Sequence, residues 1–260
     1  MIANRIRCPV HGGVDRNCAV WRDERGCLRA KCWSHGCDRR AILASLDETV
    51  ESPATQHSQF DALARVVFAR RLWRTSIAGS GTLVERYLRA RGITISVPAT
   101  IRFHPSLKHP SGSILLPAMV AAVSDLNRNV VAIHRTFLDL RGNKTKLDPA
   151  KAALGRVTGG AVHLAAVGER LVLAEGIETA LSVQQATGFP TWAALGTSNL
   201  AKLQVPDCVR ELTICADGDG PGERAAQTAA QRLLRGDRVV RIARAPAGTD
   251  FNDLLQATAV

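Results

Sequence analysis

Two short apolar runs in the last third of the chain each end in acidic residues and glycine. Residues 171–174 lead into Glu175, and residues 212–216 lead into Asp217 and Asp219. Runs of this kind predict neighbouring parallel strands of an open α/β sheet, which builds its site at the carboxyl ends of the strands. Clustered carboxylates repel each other unless a cation lies among them. The pattern therefore predicts a magnesium site.

The residues around these runs predict a regular alternation of strands and helices. The predicted strands cover residues 171–174, 191–195, 211–216 and 238–243, and the predicted helices cover 178–187, 199–204, 222–235 and 250–256. Four such units predict a doubly wound parallel sheet. Before them, helical spacing at residues 60–74 and 82–89 and three strands between 101 and 140 predict an α+β segment with an antiparallel sheet.

The first 45 residues have the ligand spacing of a small zinc module. Cys8 and His11 form one pair and Cys32 and Cys37 form a second, with a predicted hairpin between them. Two such pairs supply the four ligands of a tetrahedral structural zinc, and a piece this small needs the metal to fold. Cys37 is preferred as the fourth ligand because Gly36 permits the turn that aims its thiolate inward. His35 is the alternate ligand.

These patterns predict four segments. We expect a zinc-binding module at residues 1–48, a flexible linker at 49–60, a basic α+β subdomain at 61–165 and the doubly wound domain at 166–260. The linker is predicted from a polar, aperiodic stretch that contains a proline.

Charge is unevenly distributed along the chain. The formal net charge is +11, and residues 1–160 carry 25 Lys and Arg against 12 Asp and Glu, whereas residues 161–260 carry 9 against 11. A basic excess of this size favours a polyanionic partner, and the lack of an amphipathic lipid-binding stretch makes that partner nucleic acid rather than a membrane. No apolar run approaches 18 residues and the start lacks a signal-peptide pattern, so we expect a cytoplasmic protein.

The acidic residues also carry a family resemblance. Glu175-Gly, Asp217-x-Asp219 and Asp250 resemble the acidic signature of the Toprim domain, which type IA and type II topoisomerases, bacterial-type primases and some nucleases share. The segment Leu-Ala-Glu-Gly-Ile-Glu-Thr-Ala-Leu-Ser resembles, more specifically, the sequences of the Toprim DNA primases of phages, plasmids and integrated elements. The order of zinc module, basic middle and Toprim domain matches that family. The second ligand pair is spaced more widely than the family's usual zinc motif.

This resemblance implies synthesis of short RNA primers on single-stranded DNA from ribonucleoside triphosphates, with a structural zinc and catalytic Mg²⁺ or Mn²⁺. Asp217 and Asp219 would be metal ligands, with Asp250 a further one. Glu175 would bind metal or assist deprotonation of the attacking hydroxyl, and the sequence does not separate these roles. No Walker-type motif is present, so any replicative helicase would act in trans.

Basic and aromatic residues are the candidates for binding nucleic acid or nucleotide. Arg135, Lys144 and Lys146 flank a predicted turn, and the corresponding basic stretch of related primases faces the catalytic cleft. Lysine and arginine contacts to phosphate give affinity without sequence preference. In the zinc module, Trp33 and Lys31 are candidates for stacking on template bases. The alternatives are an ordinary solvated hairpin and a tryptophan packed in the core.

Other functions stay open on the sequence. A Toprim nuclease would use the same carboxylates to hydrolyse phosphodiesters. A topoisomerase would need a tyrosine nucleophile, and the only tyrosine, Tyr87, lies in a predicted helix. A non-catalytic accessory protein would bind nucleic acid through the zinc module alone. Glu178 is interpreted as an acid of a helix's first turn, which favours the helix dipole.

Overall fold

The computed structural model describes residues 4–12, 14–23, 27–47 and 53–258. The chain divides into two compact units, residues 1–62 and 63–260, and the boundary falls inside a helix. Each unit has its own core.

The first unit is a three-stranded antiparallel sheet followed by a helix. Its elements are β1 (Asn4–Ile6), β2 (Cys18–Arg22), β3 (Leu28–Cys32) and α1 (Arg39–Asp47), with strand order β1-β2-β3. The predicted hairpin is β2 and β3, and its turn at residues 24–26 lies outside the described residues. Three cysteines, Ala30 and Ile42 form the buried core. Such a core buries too little apolar surface to fold without a metal.

Helix α2 (Pro53–Thr75) corrects the predicted linker. Residues 53–60 of the predicted linker are helical, while its residues 49–52 lie outside the described residues. Proline is tolerated in the first turn of a helix because its missing N–H has no intrahelical partner there. The proline that favoured a linker therefore starts a helix instead.

The second unit begins with a five-stranded antiparallel sheet. Its elements are β4 (Ile77–Ala78), α3 (Leu83–Ala90), β5 (Ile101–Lys108), β6 (Leu115–Ser124), β7 (Val130–Phe137) and β8 (Lys151–Gly155), in the order β4-β5-β6-β7-β8. Thr82, the first residue of the predicted helix, accepts a hydrogen bond from the backbone N–H of Val84 and so caps α3. Strands β4 and β8 were not predicted.

A second sheet follows, and it is doubly wound as predicted. Its elements are β9 (Val162–His163), β10 (Arg170–Ala174), α4 (Ile177–Thr187), β11 (Thr191–Ala193), α5 (Thr197–Leu200), β12 (Glu211–Ala216), α6 (Gly220–Leu233), β13 (Val239–Arg244) and α7 (Phe251–Thr258). The strand order is β13-β12-β10-β11-β9, and only the pair of β9 with β11 is antiparallel. Helices pack on both faces of this sheet.

The two sheets of the second unit share one hydrophobic core. One buried cluster contains residues from both sheets and from a helix. Ile101 and Met119 lie in the antiparallel sheet, Val172 lies in β10 of the second sheet and Leu181 lies in α4. Burying each such side chain contributes about 1.5–3 kcal/mol. The backbones also join directly, because Ser124 and Ala161 exchange two hydrogen bonds at 2.9 and 3.0 Å. The carboxyl ends of β10 and β12 are thus held in a fixed relation to the first sheet.

Candidate active site

Four predicted zinc ligands converge in the first unit. The ligand atoms of Cys8, His11, Cys32 and Cys37 all lie within 4.8 Å of one another. The Nδ1 atom of His11 lies 3.1 Å from the Sγ atom of Cys37 and 3.7 Å from that of Cys32. Cys8 and Cys32 are buried, as ligands of a structural metal usually are. Among the residues that the structure describes, this is the one group of three or more donors that converges in this way.

His35 lies beside this cluster rather than in it. Its ring stacks against that of His11 with 4.1 Å between centroids, and its Nδ1 atom lies 3.0 Å from the Ser34 hydroxyl. Hydrogen bonds from the backbone of His35 are the main cause that lowers the pKa of the Cys32 thiol to about 5. A thiolate is the form that binds zinc. His35 therefore supports the cluster through its backbone.

Trp33 and Lys31 form an exposed cation–π pair beside the cluster. The Nζ atom of Lys31 lies 4.0 Å from the Trp33 ring centroid, and Trp33 is 60% exposed. The alternative in which this tryptophan packs in the core is wrong. A large exposed aromatic ring with a cation above it is a surface on which a base can stack.

The predicted acidic residues meet at one edge of the second sheet. Glu175 follows β10 and Asp217 follows β12, and these two strands are parallel neighbours. Asp219 caps α6, because its carboxylate accepts a 2.6 Å hydrogen bond from the Gly222 N–H. Asp250 accepts hydrogen bonds from the backbone N–H groups of two residues at the start of α7. All four acids thus lie at strand ends or helix starts on the carboxyl edge.

Backbone packing brings Asp250 to this edge. Gly218 donates a 2.9 Å hydrogen bond to the carbonyl of Thr249 and accepts one of 2.8 Å from Gly248. A Cβ atom at position 218 would overlap the Pro246 carbonyl oxygen. Glycine is needed here because the two loops touch backbone to backbone.

Electrostatic repulsion among the acids is visible in their pKa values. Burial, followed by the charges of Glu175 and Asp250, raises the pKa of Asp217 to about 6. Burial and the charge of Asp219 also raise the pKa of Glu175. The Oδ1 atom of Asp217 is buried and has no hydrogen-bond partner among the residues that the structure describes. A divalent cation would offset both the repulsion and the orphaned oxygen, so the donor set fits Mg²⁺ or Mn²⁺.

Comparison with known proteins assigns this region to a family. A model of the Toprim domain matches residues 170–259, and a model described as a domain of unknown function, DUF7146, matches residues 64–164. Residues 170–259 form a Toprim domain. A search of curated protein sequences found no match.

Solved structures extend the similarity to both units. The primase fragment of the bacteriophage T7 primase-helicase is 18% identical, with a TM-score of 0.51 over 98% of this chain and 95% of that one. The zinc-binding and RNA polymerase domains of the Aquifex aeolicus primase are 15% identical, with a TM-score of 0.52 over 99% and 77%. A DnaG primase catalytic domain bound to single-stranded DNA is 16% identical, with a TM-score of 0.52 over 78% of each chain. The chain therefore has the fold of the Toprim-type primases.

Of the three basic residues expected to bind phosphate near the Toprim carboxylates, Arg135 lies on a different face of its sheet from the one that this role needs. Strand alternation puts Arg135 on the face of β7 that carries Phe137, and its guanidinium lies 5.6 Å from that ring. This face packs against α2, so Arg135 does not lie on the carboxylate side. Lys144 and Lys146 are exposed in the connection between β7 and β8. DNA binding by these three residues stays a prediction.

A basic residue that the sequence reasoning missed does reach the Toprim domain. Lys151 starts β8, and its Nζ atom lies 2.9 Å from the Oε2 atom of Glu178 on α4. The Tyr87 hydroxyl donates a 2.6 Å hydrogen bond to the Oε1 atom of the same carboxylate. Glu178 does lie in the first turn of α4, but it is buried in an ion pair and is not a solvated acid. Its partners lie 91 and 27 residues away, so no local pattern signals them.

None of the helices in the described part of the chain is both long and apolar enough to cross a membrane.

Proposed function

We propose that this protein is a DNA primase that joins ribonucleotides on a single-stranded DNA template. The observation that carries the proposal is the set of carboxylates at the Toprim edge. Within the described residues, one oxygen of Asp217 has no hydrogen-bond partner, and the pKa of this carboxyl is raised to about 6. The same chain holds a cysteine and histidine cluster suited to structural zinc. The primase-like fold over both units supports this assignment.

Each carboxylate would have a defined role in this reaction. Asp217, Asp219 and Asp250 would hold Mg²⁺ or Mn²⁺, which would neutralise triphosphate charge and help activate the attacking 3′-hydroxyl. Glu175 would either complete the metal site or accept the proton of that hydroxyl. Its raised pKa makes Glu175 a stronger proton acceptor than an ordinary carboxylate.

Binding of template and nucleotide would fall to basic and aromatic residues. We propose that Lys31 and Trp33 contact template bases, and that Lys144, Lys146 and Arg135 contact phosphate. One structure of similar fold is a primase domain bound to single-stranded DNA, which supports this partner. A replicative helicase acting in trans, and replication of a phage, plasmid or integrated element, complete the proposed context.

A nuclease is the second candidate, because the same carboxylates could hydrolyse a phosphodiester. The test gives the purified protein single-stranded DNA of varied sequence, Mg²⁺ or Mn²⁺ and labelled ribonucleotides. We expect short RNA products that disappear in Asp217→Ala and Asp219→Ala. Asp237→Ala is the matched control, because this exposed carboxylate precedes β13 at the opposite edge of the sheet.

The outcomes separate the candidate functions. DNA cleavage without synthesis would replace the primase with the nuclease. Zinc-dependent DNA binding with neither reaction would leave a non-catalytic accessory protein. Equal loss of products in the Asp237→Ala control would show that the assay does not report on the Toprim edge.

A further inference from the structure

A buried ion pair links the Toprim domain to the preceding sheet. Glu178 is 5% exposed and lies between α3, which supplies Tyr87, and β8, which supplies Lys151. A buried carboxylate without partners would be strongly destabilising. The three side chains therefore form a cluster that depends on all of its members, and we call it the Glu178 cluster.

The charges of this cluster are fixed by its surroundings. Burial opposes the charge of Glu178, but the Lys151 ammonium and the Tyr87 hydrogen bond outweigh it and lower the pKa of Glu178 to about 2. Burial lowers the pKa of the neighbouring His134 to about 4, so that imidazole is neutral near pH 7. Lys151 thus has one fixed anionic partner and no competing cation from His134.

The cluster lies next to the strand end that carries Glu175. Glu175 follows the last residue of β10, and Glu178 lies three residues later in the first turn of α4. The Oε2 atom of Glu178, which contacts Lys151, lies only 3.7 Å from the position that a Cβ atom would occupy at Gly176. The Lys151 ammonium is therefore held at the turn between β10 and α4.

The Lys151 ammonium retains the capacity to bind a second group. Its side chain is 39% exposed, whereas that of Glu178 is 6% exposed. An ammonium group has three N–H donors, and Glu178 accepts one of them. Among the described residues no other acceptor contacts this ammonium, so its remaining donors can bind a further anion.

We propose that Glu178 and Tyr87 are positioning residues that hold the Lys151 ammonium where it contacts the phosphates of a bound nucleoside triphosphate. The inference rests on the proposed function, since it assumes that a nucleotide enters at the Glu175 strand end. Glu178 fixes the ammonium, and Tyr87 fixes the second oxygen of Glu178. Neither residue itself contacts the substrate.

The experiment measures equilibrium binding of Mg–ATP to the full chain, together with thermal unfolding. Lys151→Met should weaken binding at least about tenfold, since it removes a charged hydrogen bond. Glu178→Gln should weaken it about threefold to tenfold, because the amide is neutral and the ammonium loses its fixed partner. Added to Lys151→Met, the Glu178→Gln change should weaken binding no further, and it should raise Tm because it removes a buried charge that has lost its cationic partner.

A matched control separates positioning from general stability. Gln185 lies on the same helix and bonds the Gly92 carbonyl and the Thr94 N–H, away from Lys151. Gln185→Ala should lower Tm without changing Mg–ATP affinity. If Glu178→Gln does not fold, Tyr87→Phe keeps the ring and removes one hydroxyl, and we expect a roughly threefold loss of affinity from it.

Several results would overturn the inference. Unchanged or tighter binding in Glu178→Gln, or an equal loss in the Lys151→Met background, would show that Glu178 does not act through Lys151. Failure of the unmodified protein to bind Mg–ATP would also overturn it. Because binding is measured without synthesis, non-additive binding in a protein that makes no primers would retain the inference and reject only the primase.

Discussion

The zinc cluster and the Toprim carboxylate edge differ in how their donor atoms are arranged. In the zinc cluster the four donors lie within 4.8 Å of one another and are linked by contacts such as that of His11 with Cys37. At the carboxylate edge, Asp219 and Asp250 accept hydrogen bonds from helix starts, and one oxygen of Asp217 has no partner in the described part of the chain. The donor atoms of the zinc cluster therefore converge, whereas the carboxylates of the Toprim edge are held apart from one another.

The chemistry of the donors explains the difference. Thiols and imidazoles can donate hydrogen bonds to one another, so their donor atoms can lie close together. Ionised carboxylates only accept, so they repel each other and their pKa values rise. A closed set of four ligands suits a structural metal, whereas spaced carboxylates leave room for substrate oxygens around the cation. The comparison therefore predicts different responses of the two sites.

The largest expected effect is the loss of the first unit when zinc is removed. Structural zinc contributes about 10–16 kcal/mol to small zinc domains. A strong chelator, or Cys32→Ser, should make residues 4–47 sensitive to protease while the main thermal transition of residues 63–258 stays unchanged. Limited proteolysis followed by mass spectrometry and calorimetry measures both. Protection that persists in the chelator would show that the cluster does not depend on metal.

The next largest effect is expected from Gly218→Ala, because the carboxylate edge is set by backbone contact. A methyl group there would overlap the Pro246 carbonyl oxygen, and we expect a destabilisation of about 4 kcal/mol. Gly168→Ala is the matched control, since a Cβ at that glycine would meet no atom of the described residues within 4 Å. Chemical denaturation compares the two. Equal effects would mean that the loops can separate without loss.

The sequence predicts the edge well because strand ends are local features. Apolar runs followed by Glu175, Asp217 and Asp219 locate the acids, and ligand spacing together with the turn at Gly36 selects Cys8, His11, Cys32 and Cys37. Features that depend on distant partners are not predictable in this way. Gly218 is needed because of Pro246, and neither residue is unusual in its own segment.

The positions of the Arg135 and Lys151 side chains were also not predictable from the sequence, for the same reason. Both are basic residues near the middle of the chain, and a shift of one residue along a strand moves a side chain to the opposite face. Register with β6 puts Arg135 opposite Val120 on the α2 side, while β8, which the sequence did not predict, brings Lys151 to Glu178. Basic composition therefore predicts a polyanion partner but not the residue that faces the carboxylates.

A smaller effect is the pH dependence of metal binding at the carboxylate edge. Asp217 has a pKa of about 6, so below that pH it carries a proton that a metal must displace. We expect Mg²⁺ affinity to fall about tenfold per pH unit below pH 6 and to level off above it. Titration of the chain with Mg²⁺ from pH 5 to 8 measures this. Affinity that is flat over this range would show that Asp217 does not bind the ion.

The smallest expected effect is a gain in stability from Asp217→Asn without metal. Folding raises the pKa of Asp217 from the ordinary aspartate value of 3.8 to about 6, so the folded state holds this proton more tightly than the unfolded state. Stability of the metal-free protein therefore falls as pH rises from about 4 to 6, and the penalty persists at higher pH.

Asparagine removes this penalty because it stays neutral. At pH 7.5 in a chelator of divalent ions, Asp217→Asn should raise Tm by about 2–4 °C, and the difference should vanish near pH 4. Asp237→Asn, whose exposed partner is Arg210, should change Tm little. A Tm gain that survives at pH 4 would trace to the amide's packing rather than to charge. The dependence on pH is thus what identifies the repulsion that the cation would relieve.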